Sequence, residues 1–208
     1  MIQIRKQGAV RFGGLLLVAA LLIGCGEAPQ ASYKQEILQH RVERDMTLRD
    51  RKQSPLKPAV RKQFKGLNYF PVDSTYRFEV QLDPITPPDS VRMVTNLGEI
   101  RTHAKIGRVE LPFDKGTEEL TVYHIQGEPK DLVWIPFTDS TNQSATYPAG
   151  RYIDATLQPD SSLVVDFNKA YNPTCDYNPT YSCPLPPEQN HLPFRVPVGE
   201  KRSGLHPY

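Results

Sequence analysis

Short hydrophobic runs separated by turn-forming clusters dominate the chain from Tyr69 onward. The runs are rich in Val, Ile, Tyr, Phe and Thr, which favour β-strands, and they recur at close to the spacing of about 8–12 residues typical of a sandwich or barrel. No helix long enough for a βαβ crossover lies between them, which disfavours a parallel sheet. We therefore predict a single, mainly β domain with an antiparallel sandwich or barrel-like core at residues 67–170. The predicted strands are Tyr76–Leu82, Val91–Thr95, Glu99–Lys105, Arg108–Phe113, Leu120–Gln126, Leu132–Phe137, Arg151–Leu157 and Leu163–Phe167.

Two of these strands, Glu99–Lys105 and Arg108–Phe113, flank a single glycine, Gly107. A glycine between two β-rich runs is typical of a tight turn. The sequence therefore predicts a hairpin over Glu99–Phe113 that reverses near Gly107.

A helical arm is predicted ahead of the β core, at residues 32–66. Ser32 and Gln35 have the spacing of a capping box, and neither Pro nor Gly interrupts Tyr33–Arg51. A second, short helix is predicted at about Ala59–Phe64. The apolar stripe of the first helix is thin, so this helix is expected to lie across the surface of the domain. The stripe consists of Leu38, Val42 and Met46, with Ile37 beside it.

The last 38 residues, 171–208, contain eight prolines and show little periodicity. The motif Tyr-Asn-Pro-Thr occurs at Tyr171–Thr174 and again at Tyr177–Thr180. Each Asn-Pro favours a turn, because the residue before proline is displaced from the helical region. We predict a rigid, irregular, Pro-rich strap that packs along the β core.

The first 24 residues have the parts of a signal peptide. Three basic residues precede an apolar run of 11 residues, Gly13–Ile23, which is too short to span a bilayer. The next segment, Leu-Ile-Gly-Cys at residues 22–25, resembles the bacterial lipobox and implies cleavage before Cys25 and lipidation of its thiol. The alternative is an ordinary signal peptide followed by an incidental cysteine.

Lipidation of Cys25 predicts a membrane anchor with residues 25–31 as its tether. Several acyl chains anchor a protein stably where a single chain does not. Gly26 follows the cysteine, whereas an aspartate there would resemble the inner-membrane retention signal of many Gram-negative bacteria. The sequence therefore predicts anchoring at the periplasmic face of the outer membrane.

Charge and motif content exclude several classes of function. Residues 1–24 hold three basic and no acidic side chains, so the mature chain keeps 22 basic and 23 acidic residues. This balance predicts no nucleic-acid partner. The chain also lacks the motifs of α/β-hydrolases, zincins, P-loop proteins, dinucleotide-binding proteins and EF-hands. We predict no cofactor and no metal.

Cys175 and Cys183 remain once Cys25 is assigned to the lipid. In an oxidising compartment this pair favours a disulfide, which would require a compact turn at Tyr177–Pro179 to bring the Cα atoms within about 4.4–6.8 Å. Two alternatives are a zinc site and a catalytic thiolate activated by a histidine base. The histidines concerned are His191, in both alternatives, and His206, in the zinc site.

Polar residues cluster around the turn between two predicted strands, Leu132–Phe137 and Arg151–Leu157. An arginine near turn hydroxyls can hold a carboxylate or phosphate through paired hydrogen bonds, and side-chain amides can bind a glycan. The alternative is structural: Arg151 pairs with Asp139 or Asp166 and fixes a loop, while the asparagines hold turn backbones. The candidate ligand-site residues are Asp139, Thr141, Tyr147, Arg151, Asp154, Asn168, Asn172, Asn178 and Asn190.

A set of specific motifs extends from the arm to the strap. The set comprises Ser54–Leu56, Phe64–Pro71, Pro136–Asp139, Thr141, Tyr147, Gly150–Tyr152, Asp166–Cys175, Tyr177–Pro187, Asn190 and Gly199–Lys201. Together these motifs resemble an uncharacterised bacterial family, domain of unknown function 1684, here in lipoprotein form. The resemblance covers nearly all of the mature chain and implies that these segments form one domain. It implies no activity, because none is established for the family.

These features predict a lipid-anchored cell-envelope protein that acts as a non-catalytic binding or structural module. Its expected partners are the membrane, through the lipid anchor, and an envelope protein or glycan. The alternative is an envelope enzyme acting on an ester, glycan or phosphate, with Arg151 and nearby carboxylates at its centre. The sequence identifies no catalytic residue.

Overall fold

Two β-sheets and a helical arm make up the structure, a computed structural model that describes residues 29–125, 127–142 and 144–205. Within these ranges the α-helices are α1 (Pro29–Arg49), α2 (Pro58–Gln63) and α3 (Thr174–Tyr177). Single-turn 3-10 helices lie at Ser74–Tyr76, Phe167–Lys169 and Glu188–Asn190. The strands are β1 (Arg77–Gln81), β2 (Asp83–Val94), β3 (Ile100–Phe113), β4 (Gly116–His124), β5 (Leu132–Asp139), β6 (Arg151–Thr156), β7 (Ser162–Asp166) and β8 (His191–Leu192).

The larger sheet has the strand order β2-β3-β4-β5-β6, and β1 pairs with β7 in a separate two-stranded sheet. All of these pairings are antiparallel, whereas the two-residue strand β8 runs parallel to the end of β5. The larger sheet is open, with β2 and β6 at its edges. This arrangement confirms the prediction of a mainly β domain with an antiparallel core.

The main hydrophobic core joins the two sheets. Phe78 of β1 and Val165 of β7 pack in one buried cluster with Leu111 of β3, Leu120 of β4 and Ile135 of β5. Because successive side chains of a strand point to opposite faces, each strand contributes alternate residues to this core.

Strand β5 is buried on both faces. Ile135 and Phe137 belong to the core between the sheets, whereas Trp134 belongs to a second cluster with Tyr152 on the opposite face. A strand that is covered on both faces needs apolar side chains at successive positions, which explains the continuous apolar run Leu132–Phe137. The strap supplies part of the cover on the outer face.

The predicted hairpin at Gly107 is wrong. Residues Ile100–Phe113 form the single strand β3, and the chain reverses before and after it instead. Gly107 lies beside a register shift between β3 and β4, and a Cβ atom there would collide with the carbonyl oxygen of Asp83 and the side chain of Leu82. Glycine is required at this position for a close backbone approach in a strand, not for a turn.

Helix α1 begins at Pro29, so the predicted capping box at Ser32 is also wrong, because Ser32 lies inside the first turns of the helix. The helix packs on the domain through Ile37 and Leu48, which are buried. The predicted apolar stripe faces solvent instead. The exposed stripe residues are Leu38, Val42 and Met46.

The first part of the strap packs along the outer face of the larger sheet, whereas Leu192, Val196 and Val198 lie in the core between the two sheets. Backbone bridges join Tyr171 to Tyr152 of β6, and Pro184 to Thr95 at the end of β2. Helix α3 and the turn that follows it reverse the chain, since the N–H of Tyr181 donates to the carbonyl of Asn178 at 3.1 Å.

No helix in the described part of the chain combines the length and apolarity that crossing a bilayer requires. The predicted signal peptide, residues 1–24, and Cys25 lie outside the described residues. The lipid anchor therefore stays a prediction.

Candidate functional site

Arg151 and Asp139 form an ion pair enclosed by the protein. Asp139 ends β5 and Arg151 begins β6, on either side of the loop that connects these neighbouring strands. The Nη2 atom of Arg151 lies 3.0 Å from the Oδ2 atom of Asp139, and neither side chain has exposed surface. Burial lowers the pKa of Arg151, and the carboxylate of Asp139 opposes this effect.

The same pair holds the chain near residues 196–200. The guanidinium group of Arg151 donates to the carbonyl oxygens of Val196, at 2.9 Å, and of Val198. The carboxylate of Asp139 accepts from the N–H of Val196 at 2.8 Å and from the N–H of Thr141 at 2.9 Å. The cluster therefore fixes a loop, which is the structural alternative that the sequence offered.

The nine candidate ligand-site residues do not converge on one pocket. Thr141 hydrogen-bonds Asp139 within the buried cluster. Asp154 is separate: it accepts a hydrogen bond from the Tyr171 hydroxyl at 2.9 Å and lines a different cavity of about 580 Å³, together with Lys169. Partial desolvation raises the pKa of Asp154, and the bond from Tyr171 opposes this.

The four asparagines join separate segments of the backbone. Asn168 bonds the N–H and carbonyl of Asp73, and Asn190 bonds both backbone groups of Thr121. The other two act similarly, because each donates to a carbonyl oxygen that is distant in sequence. Asn172 donates to Lys201, and Asn178 donates to Pro55.

Cys175 and Cys183 lie side by side as buried free thiols. The N–H of Cys175 donates to the Sγ atom of Cys183 at 3.1 Å, and the hydroxyl of Tyr147 lies 3.4 Å from the Sγ atom of Cys175. Hydrogen bonds from Cys183 and from Tyr147 lower the pKa of Cys175, while burial opposes them. The compact turn that a disulfide requires is present, and the disulfide itself stays a prediction.

The described residues contain no cluster of three or more His, Cys, Asp or Glu side chains that could hold a metal ion. His191 lies on β8, where its Nδ1 atom is 2.9 Å from the hydroxyl of Thr138. His206, the other histidine of the zinc alternative, lies outside the described residues.

A concave pocket that sequence reasoning missed opens on the outer face of the larger sheet, next to the strap. Its volume is about 310 Å³. We call it the aromatic pocket. Its lining includes Arg101 and His103 of β3, Trp134 of β5, Tyr152 of β6 and Tyr181 of the strap.

The aromatic rings of this pocket support one another by edge-to-face packing. The ring centroids of Trp134 and Tyr152 are 4.8 Å apart at 78°, and those of Tyr152 and Tyr171 are 5.8 Å apart at 88°. The Tyr152 hydroxyl donates to the carbonyl of Pro184, which fastens the strap beside the pocket. Such contacts fix each ring in one orientation, so the walls of the pocket are preformed.

His103 lies in the wall of the aromatic pocket, with its ring centroid 5.2 Å from that of Trp134. The side chain is buried, and neither ring nitrogen makes a hydrogen bond of ordinary geometry. Burial lowers its pKa, with the backbone of His124 acting in the opposite direction, so the ring is neutral at neutral pH. An unpaired buried polar group of this kind costs roughly 1–3 kcal/mol.

At the mouth of the pocket, two lining residues, Arg101 and Ser182, contact one negative side chain beside the pocket, Glu99. Arg101 pairs with Glu99, with 3.3 Å between Nη2 and Oε2, and the Ser182 hydroxyl donates to the same oxygen at 2.6 Å. Tyr181 is 44% exposed. Asn96 fixes this part of the strap by accepting from the N–H of Cys183 at 2.7 Å.

A family model described as protein of unknown function, DUF1684, matches residues 62–201. The solution NMR structure of the uncharacterised protein from gene locus rrnAC0354 of Haloarcula marismortui is similar in fold, with a TM-score of 0.66 and 28% sequence identity. The similarity covers 85% of this chain and 98% of that chain. No curated protein matches.

Proposed function

The chain belongs to the family of proteins of unknown function DUF1684, and we propose that it is a lipid-anchored cell-envelope protein whose β domain binds a small ligand without catalysis. The aromatic pocket is the observation that carries this proposal. We place the protein at the periplasmic face of the outer membrane, where an envelope protein or glycan is its partner.

The anchor is supported by the order of segments along the chain. A positive region, a short apolar run and a lipobox-like segment end at Cys25, and α1 begins only four residues later, at Pro29. Four extended residues span roughly 14 Å, so the domain would lie close to the bilayer. A domain held there meets ligands of the envelope rather than of the cytoplasm.

The binding function is supported by the form of the aromatic pocket. Small-ligand sites are concave and mostly apolar, with a few polar groups that set orientation. The pocket combines fixed rings, such as Trp134 and Tyr152, with the polar groups of Arg101 and Ser182, which both contact Glu99 beside the pocket. By contrast, the Arg151 group of the enzyme alternative is enclosed and already paired, which favours binding over catalysis.

The anchor is tested by replacing Cys25 with serine in cells fed labelled palmitate. We expect Cys25→Ser to abolish labelling and to release the protein from the membrane fraction. Cys175→Ser is the matched control and should keep both the label and the membrane association. An unlabelled Cys25→Ser protein that still sediments with membranes would refute the lipid anchor.

The pocket is tested by ligand capture on the full-length protein in phospholipid nanodiscs, incubated with an envelope extract and analysed by native mass spectrometry. We expect a bound small molecule that is lost in Thr174→Phe, because Thr174 lines the pocket and a larger side chain fills it. Thr102→Phe, at an exposed position of β3, should retain the molecule. Equal capture by both variants would overturn the assignment of this pocket.

A further inference from the structure

We propose that the aromatic pocket binds a neutral saccharide unit, held between the ring of Tyr181 and the polar groups at the mouth. The inference rests on the proposed binding function and specifies its ligand. The proposal follows from three features of the pocket: its charge balance, its aromatic surface and its unpaired histidine.

The charge at the mouth is balanced. Arg101 and Glu99 lie within 3.3 Å of each other, and their side chains remain 46% and 57% exposed. An anionic ligand would gain from the arginine but would be repelled by the glutamate. A neutral ligand with hydroxyl groups gains from both, since each hydroxyl can accept from the guanidinium group and donate to the carboxylate.

The aromatic surface suits the apolar face of a sugar ring. Tyr181 is among the few large hydrophobic side chains that are substantially exposed, and it stands at the pocket beside Ser182, whose hydroxyl is already oriented by Glu99. A flat ring with hydroxyls at its edge can cover Tyr181 while its edge reaches these polar groups.

His103 supplies the third feature. Its ring is neutral and offers one hydrogen-bond donor and one acceptor, and apart from the backbone of His124 no group makes a hydrogen bond of ordinary geometry with either nitrogen. A hydroxyl group satisfies either nitrogen, whereas a carboxylate or phosphate can only accept and an ammonium can only donate. A saccharide that reaches the ring therefore relieves the unpaired imidazole, whichever nitrogen it meets.

The size of the pocket limits the ligand. At about 310 Å³ it lies at the lower end of the range of about 300–1,000 Å³ for small-ligand sites. This volume suits one or two sugar rings. A long glycan would therefore be recognised through a terminal unit or a single exposed residue.

The experiment uses Trp134, the only tryptophan of the chain, as a fluorescent reporter in the wall of the pocket. The full-length protein in phospholipid nanodiscs is titrated with N-acetylglucosamine, maltose and methyl glucoside as neutral probes, and with glucuronate and glucose 6-phosphate as anionic ones. We expect a saturable change in emission with at least one neutral probe and weaker binding of its anionic counterpart.

Two variants and two controls test the geometry. Arg101→Ala and Tyr181→Ala should each weaken binding about tenfold, the loss expected for one good hydrogen bond or stacking contact. Tyr181→Phe keeps the ring and should bind like the wild type. Arg108→Ala is matched to Arg101→Ala, because Arg108 lies on the same strand and pairs with Glu119 at 3.5 Å with similar exposure, and it should have no effect.

The outcomes separate this inference from the proposed function. If an anionic probe binds and no neutral probe does, or if ligand capture yields a molecule that is not a saccharide, the ligand class is wrong while the pocket stands. If neither capture nor titration detects a ligand, the binding function fails as well. Equal binding by Arg101→Ala and Arg108→Ala would also overturn the proposed geometry.

Discussion

The Nη2 atom of Arg151 lies 3.0 Å from the Oδ2 atom of Asp139, inside a buried cluster in which neither side chain is exposed to solvent. Removing two charges from water is costly, and the cost is recovered only where each charge keeps its partner and its hydrogen bonds. Here the carbonyl oxygens of Val196 and Val198 accept from Arg151 and the N–H of Val196 donates to Asp139, although the Nε atom of Arg151 has no hydrogen-bond partner. The pair therefore ties the end of the strap to the loop between β5 and β6.

Replacement of Arg151 by methionine should destabilise the protein strongly. The substitution leaves the carboxylate of Asp139 buried without its partner, which typically costs about 3–5 kcal/mol. Urea unfolding followed by Trp134 fluorescence measures the effect. The control is Arg108→Met, which breaks an exposed pair with Glu119 and should cost less than about 1 kcal/mol. Equal effects of the two variants would contradict the buried-pair account.

A double variant tests whether the loss of stability comes from the unpaired carboxylate of Asp139. In the double variant Arg151→Met, Asp139→Leu no buried charge remains, so part of the lost stability should return. If the double variant lost more free energy of unfolding than the two single variants together, the pair would not be the dominant interaction of the cluster.

The stability of the protein should also depend on Asp176. Burial raises the pKa of this carboxyl group from 3.8 to about 6, although Ser203 and Asn172 donate hydrogen bonds to it. The folded state therefore binds a proton more tightly than the unfolded state, and stability falls as the pH rises from about 4 to 6. A pKa change of this size corresponds to roughly 3 kcal/mol.

Asp176→Asn should remove that fall, because an amide does not titrate. The measurement is the urea midpoint of the wild type and the variant at several pH values between 4 and 7. Asp114→Asn, at an exposed aspartate, serves as the control and should follow the wild type. If the stability of the wild type and of Asp176→Asn changed with pH in parallel, the buried carboxyl group would not be the source of the pH dependence.

The β core was largely predictable because its signals are local. Alternation and turn residues located most strands, and the run Leu132–Phe137 lies within β5. Gly107 misled the prediction because a glycine required for close backbone approach looks the same in sequence as a glycine required for a turn. Only the register of β2, β3 and β4 distinguishes the two.

The functional residues were harder to predict, since their surroundings are non-local. The sequence left Asp139 and Asp166 open as partners of Arg151. The structure pairs Arg151 with Asp139, and the enclosure of this pair depends on Val196, far along the chain. The aromatic pocket was missed because His103, Trp134 and Tyr152 come from different strands of the larger sheet. In the sequence, each of these residues has the pattern of an ordinary core residue. Only the strand pairing and the path of the strap bring them together.

Cys175 and Cys183 should form a disulfide in protein isolated from the periplasm. The two residues are neighbours in the structure, and closing so short a loop stabilises a protein by roughly 2–3 kcal/mol. Maleimide labelling with mass spectrometry should detect no free thiol before reduction. Reduction should lower the free energy of unfolding by that amount and expose the strap to proteases. Two free thiols in fresh protein would overturn the prediction.

Glu200 should determine how firmly α1 is held on the domain. Its buried carboxylate accepts from Arg44 of α1 at 3.1 Å, from the N–H of Asn172 at 2.9 Å and from the hydroxyl of Tyr177. Glu200→Gln removes the charge that these donors share and should cost roughly 2–3 kcal/mol. Because Arg44 loses its ion pair and keeps only weaker contacts such as its hydrogen bond to the Tyr177 hydroxyl, hydrogen exchange should accelerate in α1 more than in β3–β5.

The matched control for this last prediction is Glu36, which also connects α1 to the domain. Glu36 pairs with Lys169 at 2.7 Å, but its side chain is 57% exposed, and exposed pairs contribute at most about 1 kcal/mol. Glu36→Gln should therefore leave hydrogen exchange in α1 almost unchanged. If both variants released α1 equally, attachment would depend on the number of ion pairs and not on their burial. If neither did, the apolar contacts of Ile37 and Leu48 would suffice to hold the helix.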